Sequence, residues 1–320
     1  MTKILITGAG GFVGTYLIKE LQLSADNEIF AAVYKSTSDI TDLVSADHII
    51  EGDLTSFDFT AQLLASTKPD VVYHLAALSV VGNSVQNAVQ IMNSNTAISY
   101  NLFEAVKMHA PSTRVIAICS ANEYGAVRDT SKPIDESVPL RPLNSYAVSK
   151  VTQEMLALQY HLAHGLNVVI VRPFNHTGIG QTTDFVIPRL AEQFAKIEQG
   201  ILPPTIEVGN TDTVRDFTDV RDMVHGYVLA AQSGVSGEIY NIGSGVGYTI
   251  AQIIEMLQSL STVKVDIKTN NQLVRSADVP ILIADASKFK SITGWTPSIP
   301  LQTTISDILN YYRSKYVEHN

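Results

Sequence analysis

Several features that are common in proteins are scarce in this chain of 320 residues, and cysteine is the first of them. Cys119 is the single cysteine, so no internal disulfide can form and a reducing, cytoplasmic compartment is expected. No paired Cys/His spacing indicates a metal site. Charged residues, Gly or Pro interrupt each apolar run before the ~18 residues that a membrane-spanning helix needs. The N-terminus also lacks the apolar region and cleavage site of a signal peptide. We therefore expect a cytoplasmic protein that neither crosses a membrane nor binds a metal.

Positive charge is scarce too, since 22 basic residues stand against 31 acidic ones and the net charge is -9. Such a balance argues against a nucleic-acid-binding surface, although it leaves room for a small basic pocket that binds phosphates. With 45% hydrophobic and 17% charged residues, the composition is that of a globular protein. The length allows one large core and a second, smaller one.

The first half of the chain alternates short apolar runs with stretches of helical periodicity. The runs are too continuous for strands with one solvent-exposed face, so they predict strands of a parallel sheet. They lie at residues 4–7, 29–34, 71–75, 115–119 and 168–171. The helical stretches lie at 16–23, 97–108 and 147–163. This βαβ order predicts an α/β fold, a doubly wound parallel sheet of the Rossmann type with helices on both faces.

After Arg172 the pattern becomes less regular, because Pro and Gly interrupt it more often. Helical periodicity is still found at residues 187–198, 220–231, 250–260 and 303–316. We therefore predict a first domain over residues 1–172, which carries the sheet, and a smaller mixed α/β domain over residues 173–320. Segments of the second part, about residues 211–245, are expected to return to the first domain.

The first predicted strand leads directly into a glycine-rich turn and then into a helix. Gly8, Gly11 and Gly14 have the spacing that lets a turn bend sharply, lets a pyrophosphate approach the backbone and packs the helix on the strand. Phe12 and Val13 lie where that helix begins, and unpaired N–H groups at a helix start attract phosphate. Three spaced glycines alone are weak evidence, but their position between a first strand and a helix indicates a dinucleotide site.

The end of the second strand bears on which dinucleotide binds. A site for NAD usually has an acidic residue here, where it holds the ribose diol. In this chain the strand ends with Lys35 and two hydroxyl residues, Ser36 and Thr37, and the first carboxylate is Asp39. A lysine suits a 2′-phosphate better than a diol, so NADP(H) is favoured. Lys35 could almost equally be a solvated surface residue, so NAD(H) stays open.

Three residues further along have side chains suited to acid–base chemistry. Tyr146 and Lys150 are four residues apart at the start of a helical stretch, which puts them on one helix face. A tyrosine, with a pKa of about 10, is a poor acid or base at neutral pH until a cation such as Lys150 stabilises its phenolate. Ser120 follows a strand, at the sheet edge where this fold binds ligands, and could hydrogen-bond the oxygen that Tyr146 protonates. These three residues are the candidate catalytic groups.

Taken in order along the chain, these motifs resemble the extended short-chain dehydrogenase/reductases over nearly the whole length. The resemblance is also carried by Gly52-Asp53-Leu54, His74-Leu75-Ala76-Ala77, Asn95 and Arg172-Pro173-Phe174-Asn175. It implies that Asp53 and Leu54 contact the adenine, that Ala76 lies near the phosphates, and that Lys150 also binds the nicotinamide ribose. The remaining cofactor-binding residues that it implies are Leu75, Ala77, Asn95, Tyr146 and Pro173.

The second half narrows the resemblance to members that act on nucleotide-diphosphate sugars. Residues 172–178, 214–222, 275–280 and 294–297 carry this similarity, in particular to the GDP-4-keto-6-deoxy-mannose reductases and the GDP-mannose 4,6-dehydratases. The substrate-binding residues that it implies are Asn122, Asn175, Arg189, Arg215 and Arg275. Among these, Asn175 would contact the sugar nucleotide while Arg215 and Arg275 hold its diphosphate, a task that suits guanidinium groups. For Arg221 and Asp222 we favour a structural ion pair or a helix cap.

One departure from the dehydratase pattern distinguishes dehydration of the sugar from reduction of its keto group. Dehydration of the sugar needs an additional acid and base, and the dehydratases carry a carboxylate two positions after the strand-end serine or threonine. This chain has Ala121 and Asn122 after Ser120, and Glu123 comes one position later, where its side chain would be aimed differently. The sequence therefore argues against a dehydratase.

We therefore predict an NAD(P)-dependent oxidoreductase that reduces the C4 keto group of a nucleotide-linked 4-keto-6-deoxyhexose, by the resemblance GDP-4-keto-6-deoxy-D-mannose. A nucleotide-sugar 4-epimerase with tightly bound NAD uses the same Ser, Tyr and Lys and stays the alternative. A non-catalytic dinucleotide sensor is disfavoured because the candidate catalytic set is intact. The family also implies a homodimer through the helical stretches at 97–108 and 147–163, although packing on the sheet explains their apolar periodicity equally well.

Overall fold

Seven parallel strands form the central sheet of the computed structural model, which describes residues 1–35, 39–79, 88–273 and 279–317. These strands are β1 (Thr2–Thr7), β2 (Asn27–Val33), β3 (Ile49–Glu51), β4 (Val71–His74), β5 (Arg114–Ile118), β6 (Asn167–Pro173) and β10 (Ile239–Ile242). Their order across the sheet is β3-β2-β1-β4-β5-β6-β10. The chain reverses direction across the sheet between β1 and β4, and a crevice opens at the carboxyl ends of strands at such a point. The doubly wound parallel sheet expected from the sequence is confirmed.

Helices cover both faces of this sheet. One face carries α1 (Phe12–Leu21) and α6 (Val220–Ser233), and the other carries α2 (Phe57–Thr67), α3 (Ala88–His109) and α4 (Ser145–His164). Alternate residues of β6 enter the two cores, Val169 and Val171 on one side and Val168 and Ile170 on the other. All four are fully buried, which explains why a strand between two helical layers is a continuous apolar run.

Beyond β6, a smaller part of the chain builds the other side of the molecule. In its sheet, β9 (Val214–Asp219) pairs with β7 (Asn175–Thr177), β11 (Gly247–Thr249) and β13 (Ile281–Leu282). A parallel pair joins β8 (Thr205–Val208) to β12 (Asp266–Thr269). The helices α5 (Val186–Glu198), α7 (Ile250–Leu260) and α9 (Leu301–Val317) enclose its apolar core, and α8 (Ser287–Thr293) packs on β10 and α6.

One strand and one helix from the later part of the chain join the first sheet: the strand extends this seven-stranded sheet, and the helix packs on it. β10 pairs in parallel with β6, so that Tyr240 lies opposite Val171, and α6 packs on α1, β5 and β6. Both elements fall within the segments that were expected to return, about residues 211–245. The division of the chain into two domains after Arg172 itself stays a prediction.

Polar side chains determine where two helices near the cleft begin. Asn144 Oδ1 accepts a hydrogen bond of 2.8 Å from the Ala147 N–H, which starts α4. Asp219 starts α6 in the same way, accepting from the Arg221 N–H at 2.8 Å. By contrast, Gly11, the residue before α1, provides no side-chain cap. In the described part of the chain, no helix is both long and apolar enough to span a bilayer.

Candidate active site

A cleft of 1020 Å³ lies at the carboxyl ends of β1, β4, β5 and β6, and residues of the smaller part form its opposite wall. The predicted site residues that line it are Gly8, Gly11, Phe12, Val13, Gly14, Lys35, Asp53, Leu54, Leu75, Ala76, Ala77, Ser120, Asn122, Tyr146, Lys150, Pro173, Asn175, Arg189 and Arg215. Asn95 is buried away from this lining, and Arg275 lies outside the described residues. The fold thus brings motifs from distant parts of the sequence into one cavity.

The glycine turn brings bare backbone to one end of this cleft. Gly8 has a φ of 71°, and a Cβ on it would lie 3.0 Å from backbone atoms of Ala76. A Cβ on Gly14 would lie 2.4 Å from the carbonyl oxygen of Ala9. Both positions therefore require glycine. The turn leads into the uncapped start of α1, where free N–H groups and the helix dipole favour phosphate, so this end fits the pyrophosphate of a dinucleotide.

Lys35 and Asp53 line the cleft just beyond β2 and β3. Asp53 Oδ1 accepts hydrogen bonds from the N–H and the hydroxyl of Thr55, both at 2.8 Å, which fixes the turn after β3. Lys35 is exposed and has a φ of 42°, and its Nζ lies 5.2 Å from the centre of the Tyr34 ring. An exposed ammonium at this place fits a 2′-phosphate. The two hydroxyl residues that follow it, Ser36 and Thr37, lie outside the described residues.

A buried network that the sequence analysis missed holds the loop after β4. Thr7 Oγ1 lies 2.9 Å from His74 Nδ1 and accepts from the Ala76 N–H at 3.2 Å, while His74 Nε2 lies 3.2 Å from Ser99 Oγ. Burial, followed by the charge of Lys150, lowers the pKa of His74 to about 3, so the ring is neutral. With one ring proton, one ring nitrogen donates to its hydroxyl partner and the other nitrogen accepts from its partner. The network fixes residues 75–77 beside the glycine turn.

Asn95 connects this loop to α4. Its side chain accepts from the Leu78 N–H at 2.8 Å and donates to Leu78 O at 3.2 Å and to Ser149 Oγ at 2.9 Å. It is 3% exposed. In this structure Asn95 therefore positions a wall of the cleft, and its direct contact with a cofactor stays a prediction.

Ser120, Tyr146 and Lys150 meet where β5 ends against the start of α4. Lys150 Nζ lies 6.0 Å from the centre of the Tyr146 ring, as expected for residues four apart on one helix face. The ammonium donates to Ile118 O at 2.7 Å and to Gln153 Oε1 at 2.9 Å, and Lys150 is 3% exposed. These bonds hold it beside the phenol. Gln153, which the sequence analysis missed, lies one helical turn after Lys150.

Burial sets the protonation of this pair. It raises the pKa of Tyr146, an effect that an ionised Glu123 would increase and that a hydrogen bond with Ser120 reduces. Burial also lowers the pKa of Lys150, and the charges of Cys119 and Glu123 oppose this change. At neutral pH Tyr146 therefore holds its proton, which is the state in which it can donate one.

A tight turn at Ala121–Glu123 fixes Ser120. Its Oγ accepts from the Asn122 N–H at 3.2 Å, and its own N–H donates to Glu123 Oε1 at 2.9 Å. Glu123 is fully buried, whereas Asn122 lines the cleft. Two positions after Ser120, the side chain in the cleft wall is thus an amide, and the carboxyl one position later points into the interior.

The opposite wall carries the predicted substrate residues. Asn175 lies on β7, Arg189 is exposed on α5, and Arg215 lies half-buried on β9. The Arg215 guanidinium donates to Val214 O at 2.9 Å. Two guanidinium groups in one wall favour an anionic ligand.

Arg221 and Asp222 have structural partners, as favoured from the sequence. Arg221 pairs with Asp219 and with Asp307, both at 2.8 Å. Asp222 accepts from the N–H groups of Ser298 and Ile299 at 2.9 and 2.8 Å, which joins α6 to the segment before α9.

Two further cleft residues were missed because their neighbours come from distant elements. His176, for which the sequence offers no partner, stacks on Phe12 with ring centroids 6.4 Å and planes 8° apart. Tyr227 of α6 also lines the cleft, and within the described residues its buried hydroxyl has no hydrogen-bond partner.

The fold and this arrangement of residues define an oxidoreductase of the extended short-chain dehydrogenase/reductase type. Residues 5–308 match the sequence model of the GDP-mannose 4,6 dehydratase family. The chain belongs to that family.

Named relatives agree with this assignment. The chain is 32% identical to the GDP-6-deoxy-D-mannose reductase of Pseudomonas aeruginosa, with 99% of both chains covered. It is 34% identical to the GDP-6-deoxy-D-talose 4-dehydrogenase of Aggregatibacter actinomycetemcomitans, with 91% of both covered. Among solved structures, RMD from Pseudomonas aeruginosa complexed with NADPH is similar with a TM-score of 0.87 and 30% identity, over 98% of this chain and 100% of that one. The resemblance seen in the sequence motifs is confirmed.

Proposed function

We propose that the protein reduces the C4 keto group of a nucleotide-linked 4-keto-6-deoxyhexose, GDP-4-keto-6-deoxy-D-mannose, with NADPH. The observation that carries the proposal is that Ser120, Tyr146 and Lys150 share one cleft with the glycine turn. When bound, NADPH supplies a hydride that forms the new C–H bond at C4, and a proton from the protein completes the alcohol.

Tyr146 supplies that proton to the carbonyl oxygen. It is protonated at neutral pH because burial raises its pKa, and Lys150 beside it stabilises the phenolate left after donation. The Ser120 hydroxyl orients the carbonyl oxygen.

The charge and position of the other cleft residues support their assignment to the cofactor or to the substrate. Gly8, Gly11 and Gly14 accommodate the pyrophosphate, and Lys35 binds the 2′-phosphate. The relative solved with NADPH supports this choice of cofactor. On the opposite wall, Arg189 and Arg215 bind the substrate diphosphate, while Asn122 and Asn175 contact the sugar nucleotide.

The names of the two relatives support GDP as the nucleotide and C4 as the reacting carbon. Both name a GDP-linked 6-deoxyhexose. D-Mannose and D-talose differ in configuration at C4, the carbon that becomes a stereocentre when its ketone is reduced. The amide of Asn122 in the cleft wall argues against a dehydratase.

The test follows the absorbance of reduced nicotinamide while a GDP-mannose 4,6-dehydratase produces GDP-4-keto-6-deoxy-D-mannose in the same cuvette. We expect rapid oxidation of NADPH and slower oxidation of NADH. Lys35→Ala should reduce the preference for NADPH about tenfold, because it removes one charge-assisted contact. No oxidation of either cofactor would contradict the reductase. Tightly bound NAD released on denaturation, together with interconversion of nucleotide sugars at C4, would establish the epimerase instead.

We also propose a cytoplasmic homodimer that pairs through α3 and α4. The apolar side chains exposed on these helices support it: Tyr100 and Met108 on α3, and Met155 and Leu162 on α4, are 49%, 55%, 46% and 80% exposed. Light scattering of the purified protein should give twice the chain mass, and Met155→Glu should shift it toward the monomer. A wild-type monomer at micromolar concentration would contradict the pairing.

A further inference from the structure

Behind Ser120, on the side away from the cleft, two carboxyl groups and one guanidinium are buried together. Arg172 donates to both oxygens of Glu154, through Nε at 2.8 Å and Nη2 at 2.6 Å. Glu123 is more distant, with its Oε2 3.8 Å from Arg172 Nε. Glu123, Glu154 and Arg172 are 0%, 1% and 3% exposed. Water therefore does not solvate this cluster.

The charges of the cluster do not balance if both carboxyl groups are ionised. Arg172 directs two N–H groups at Glu154, and its Nη1 donates to the Tyr124 hydroxyl at 2.8 Å. An ionised Glu123 would be a buried negative charge with no cation hydrogen-bonded to it, which is strongly unfavourable. Burial, and then the charge of Glu154, raises the pKa of Glu123 well above its usual range. This direction agrees with a cluster in which one carboxyl group is protonated.

The hydrogen bonds of Glu123 show where its proton lies. Oε1 accepts from the Ser120 N–H at 2.9 Å, so it is the unprotonated oxygen. Oε2 is buried and, as an acceptor, has no partner among the described residues. A proton turns Oε2 into a donor, and the Glu154 carboxylate is the acceptor, since an oxygen of each side chain lies within 4.8 Å of the other and hydrogen bonding with Glu154 contributes to the raised pKa of Glu123. The two carboxyl groups then share one proton, and the cluster with Arg172 is neutral.

The charge of this cluster matters because Glu123 lies near the groups proposed to do the chemistry. The other titratable groups around it are Cys119 and Tyr124 on its own segment, Tyr146 and Lys150 on α4, and Glu136, whose charge acts on Tyr124. An ionised Glu123 would repel the phenolate that forms when Tyr146 gives up its proton. A neutral Glu123 leaves Lys150 as the nearby charge that acts on that phenolate.

We propose that Glu123 is a positioning residue for the reduction, in which one oxygen fixes Ser120 through its N–H and the protonated oxygen, bonded to Glu154, keeps negative charge away from Tyr146. This inference rests on the proposed function, in which Ser120 and Tyr146 are catalytic. It assigns a function to a carboxyl that never reaches the cleft.

Two substitutions test the hydrogen bonds of Glu123 while the side chain at this position stays neutral. Glutamine reproduces the protonated form, because its oxygen accepts from the Ser120 N–H and its NH₂ donates to Glu154. Leucine has about the same size and removes both bonds. We expect Glu123→Leu to lower kcat at least about tenfold and Glu123→Gln to restore most of that loss, since a buried group left unpaired is costly. The Kd for NADPH should stay unchanged in both variants. Glu238→Leu, which removes an exposed carboxylate, is the matched control.

Two further measurements separate positioning from a merely structural contribution. In the Ser120→Ala background, adding Glu123→Leu should cost no more than about twofold in kcat, because effects that act through one group are not additive. The infrared difference spectrum between the wild type and Glu123→Gln should contain the C=O band of a protonated carboxyl. This band is readable in the wild type and the glutamine variant even if the leucine variant fails to fold.

A full loss of kcat from Glu123→Leu in the Ser120→Ala background would overturn the inference, and so would a glutamine variant as slow as the leucine variant. A wild-type spectrum without the protonated-carboxyl band would show that Glu123 is ionised and would also overturn it. A wild type that does not oxidise NADPH would instead contradict the proposed function, since the infrared band does not depend on turnover.

Discussion

The two walls of the cleft are held in different ways. The wall built on the first sheet fixes its polar groups by short buried hydrogen bonds, such as those of Lys150 to Ile118 and of Thr7 to His74. The opposite wall presents an exposed Arg189 and a half-buried Arg215. Groups that must be aligned with a reacting bond gain from such rigidity, while groups that attract a charged ligand can adjust to it. Substitutions in the first wall should therefore change kcat or cofactor binding, and those in the second should change KM.

The largest effect is expected from Tyr146→Phe in the first wall. Removing the phenol removes the proposed proton donor, so kcat should fall about a thousandfold. The Kd for NADPH and the KM for the sugar nucleotide should change by less than about threefold, because the ring remains. Stopped-flow oxidation of NADPH and fluorescence titration measure these quantities. A variant with near-full turnover would refute the assignment of Tyr146.

Gly14→Ala should have the next largest effect, again in the first wall. Its Cβ would lie 2.4 Å from the carbonyl oxygen of Ala9, so the turn must shift. Overpacking of this kind costs roughly 2 kcal/mol, about 30-fold in the Kd for NADPH. Gly165→Ala is the control, since its φ is positive, at 70°, but no atom of the described residues beyond its chain neighbours would lie within 4 Å of its Cβ. The control should lose roughly 1 kcal/mol of unfolding free energy and keep its NADPH affinity. Equal Kd values of the two variants for NADPH would contradict the proposal that the glycine turn binds the pyrophosphate.

Arg215→Ala tests the second wall. Losing one charge-assisted bond to the diphosphate should raise KM about tenfold while kcat stays within about twofold. Arg189→Ala, at an exposed position, should raise KM less. Arg128→Ala removes an exposed arginine outside the cleft lining and serves as the control. Steady-state kinetics with saturating NADPH separate kcat from KM. A fall in kcat with an unchanged KM would mean that Arg215 acts in the chemical step, and the proposed difference between the two walls would be wrong.

The smallest effect is a pH dependence of stability that arises in the first wall. Because the pKa of His74 is lowered to about 3 in the folded protein, the unfolded chain binds a proton at this residue below its ordinary pKa, while the folded chain does not. Stability is therefore lost as the pH falls below about 6.5, by up to about 1.4 kcal/mol per pH unit. Urea unfolding at several pH values should show this slope, and His74→Asn should reduce it. An unchanged slope would mean that His74 is protonated in the folded state.

The sequence could indicate which residues of the first wall line the cleft, because they lie at the ends of parallel strands. There, position along the chain determines position at the sheet edge, so Ser120, Ala76 and the glycines could be assigned from local motifs. The spacing of Tyr146 and Lys150 needs only one helix. These are the cases in which local geometry determines the neighbours of a residue.

The buried polar networks and the pairing of the last strand could not be predicted, because contacts between distant parts of the chain determine them. His74 meets Thr7, 67 residues away, and Glu123 meets Glu154 and Arg172 on two other elements. The return of about residues 211–245 to the first domain was expected, but the local sequence did not indicate that β10 would pair with β6, because that pairing depends on how the second half folds. Lys35 could be placed, but the segment after it lies outside the described residues.

The late seventh strand also matters for how the protein is synthesised. β6 ends at Pro173 and its outer neighbour β10 begins at Ile239, so about 65 residues must be added before that edge can be covered. At ribosomal rates of about 5–20 residues per second, the wait is roughly 3–13 s. During that interval the nascent chain exposes the unpaired backbone of β6, together with the apolar sheet surface that α6 later covers. An unpaired strand edge and an apolar surface both favour aggregation, so the half-made protein is exposed to it after Ser120, Tyr146 and Lys150 have been translated.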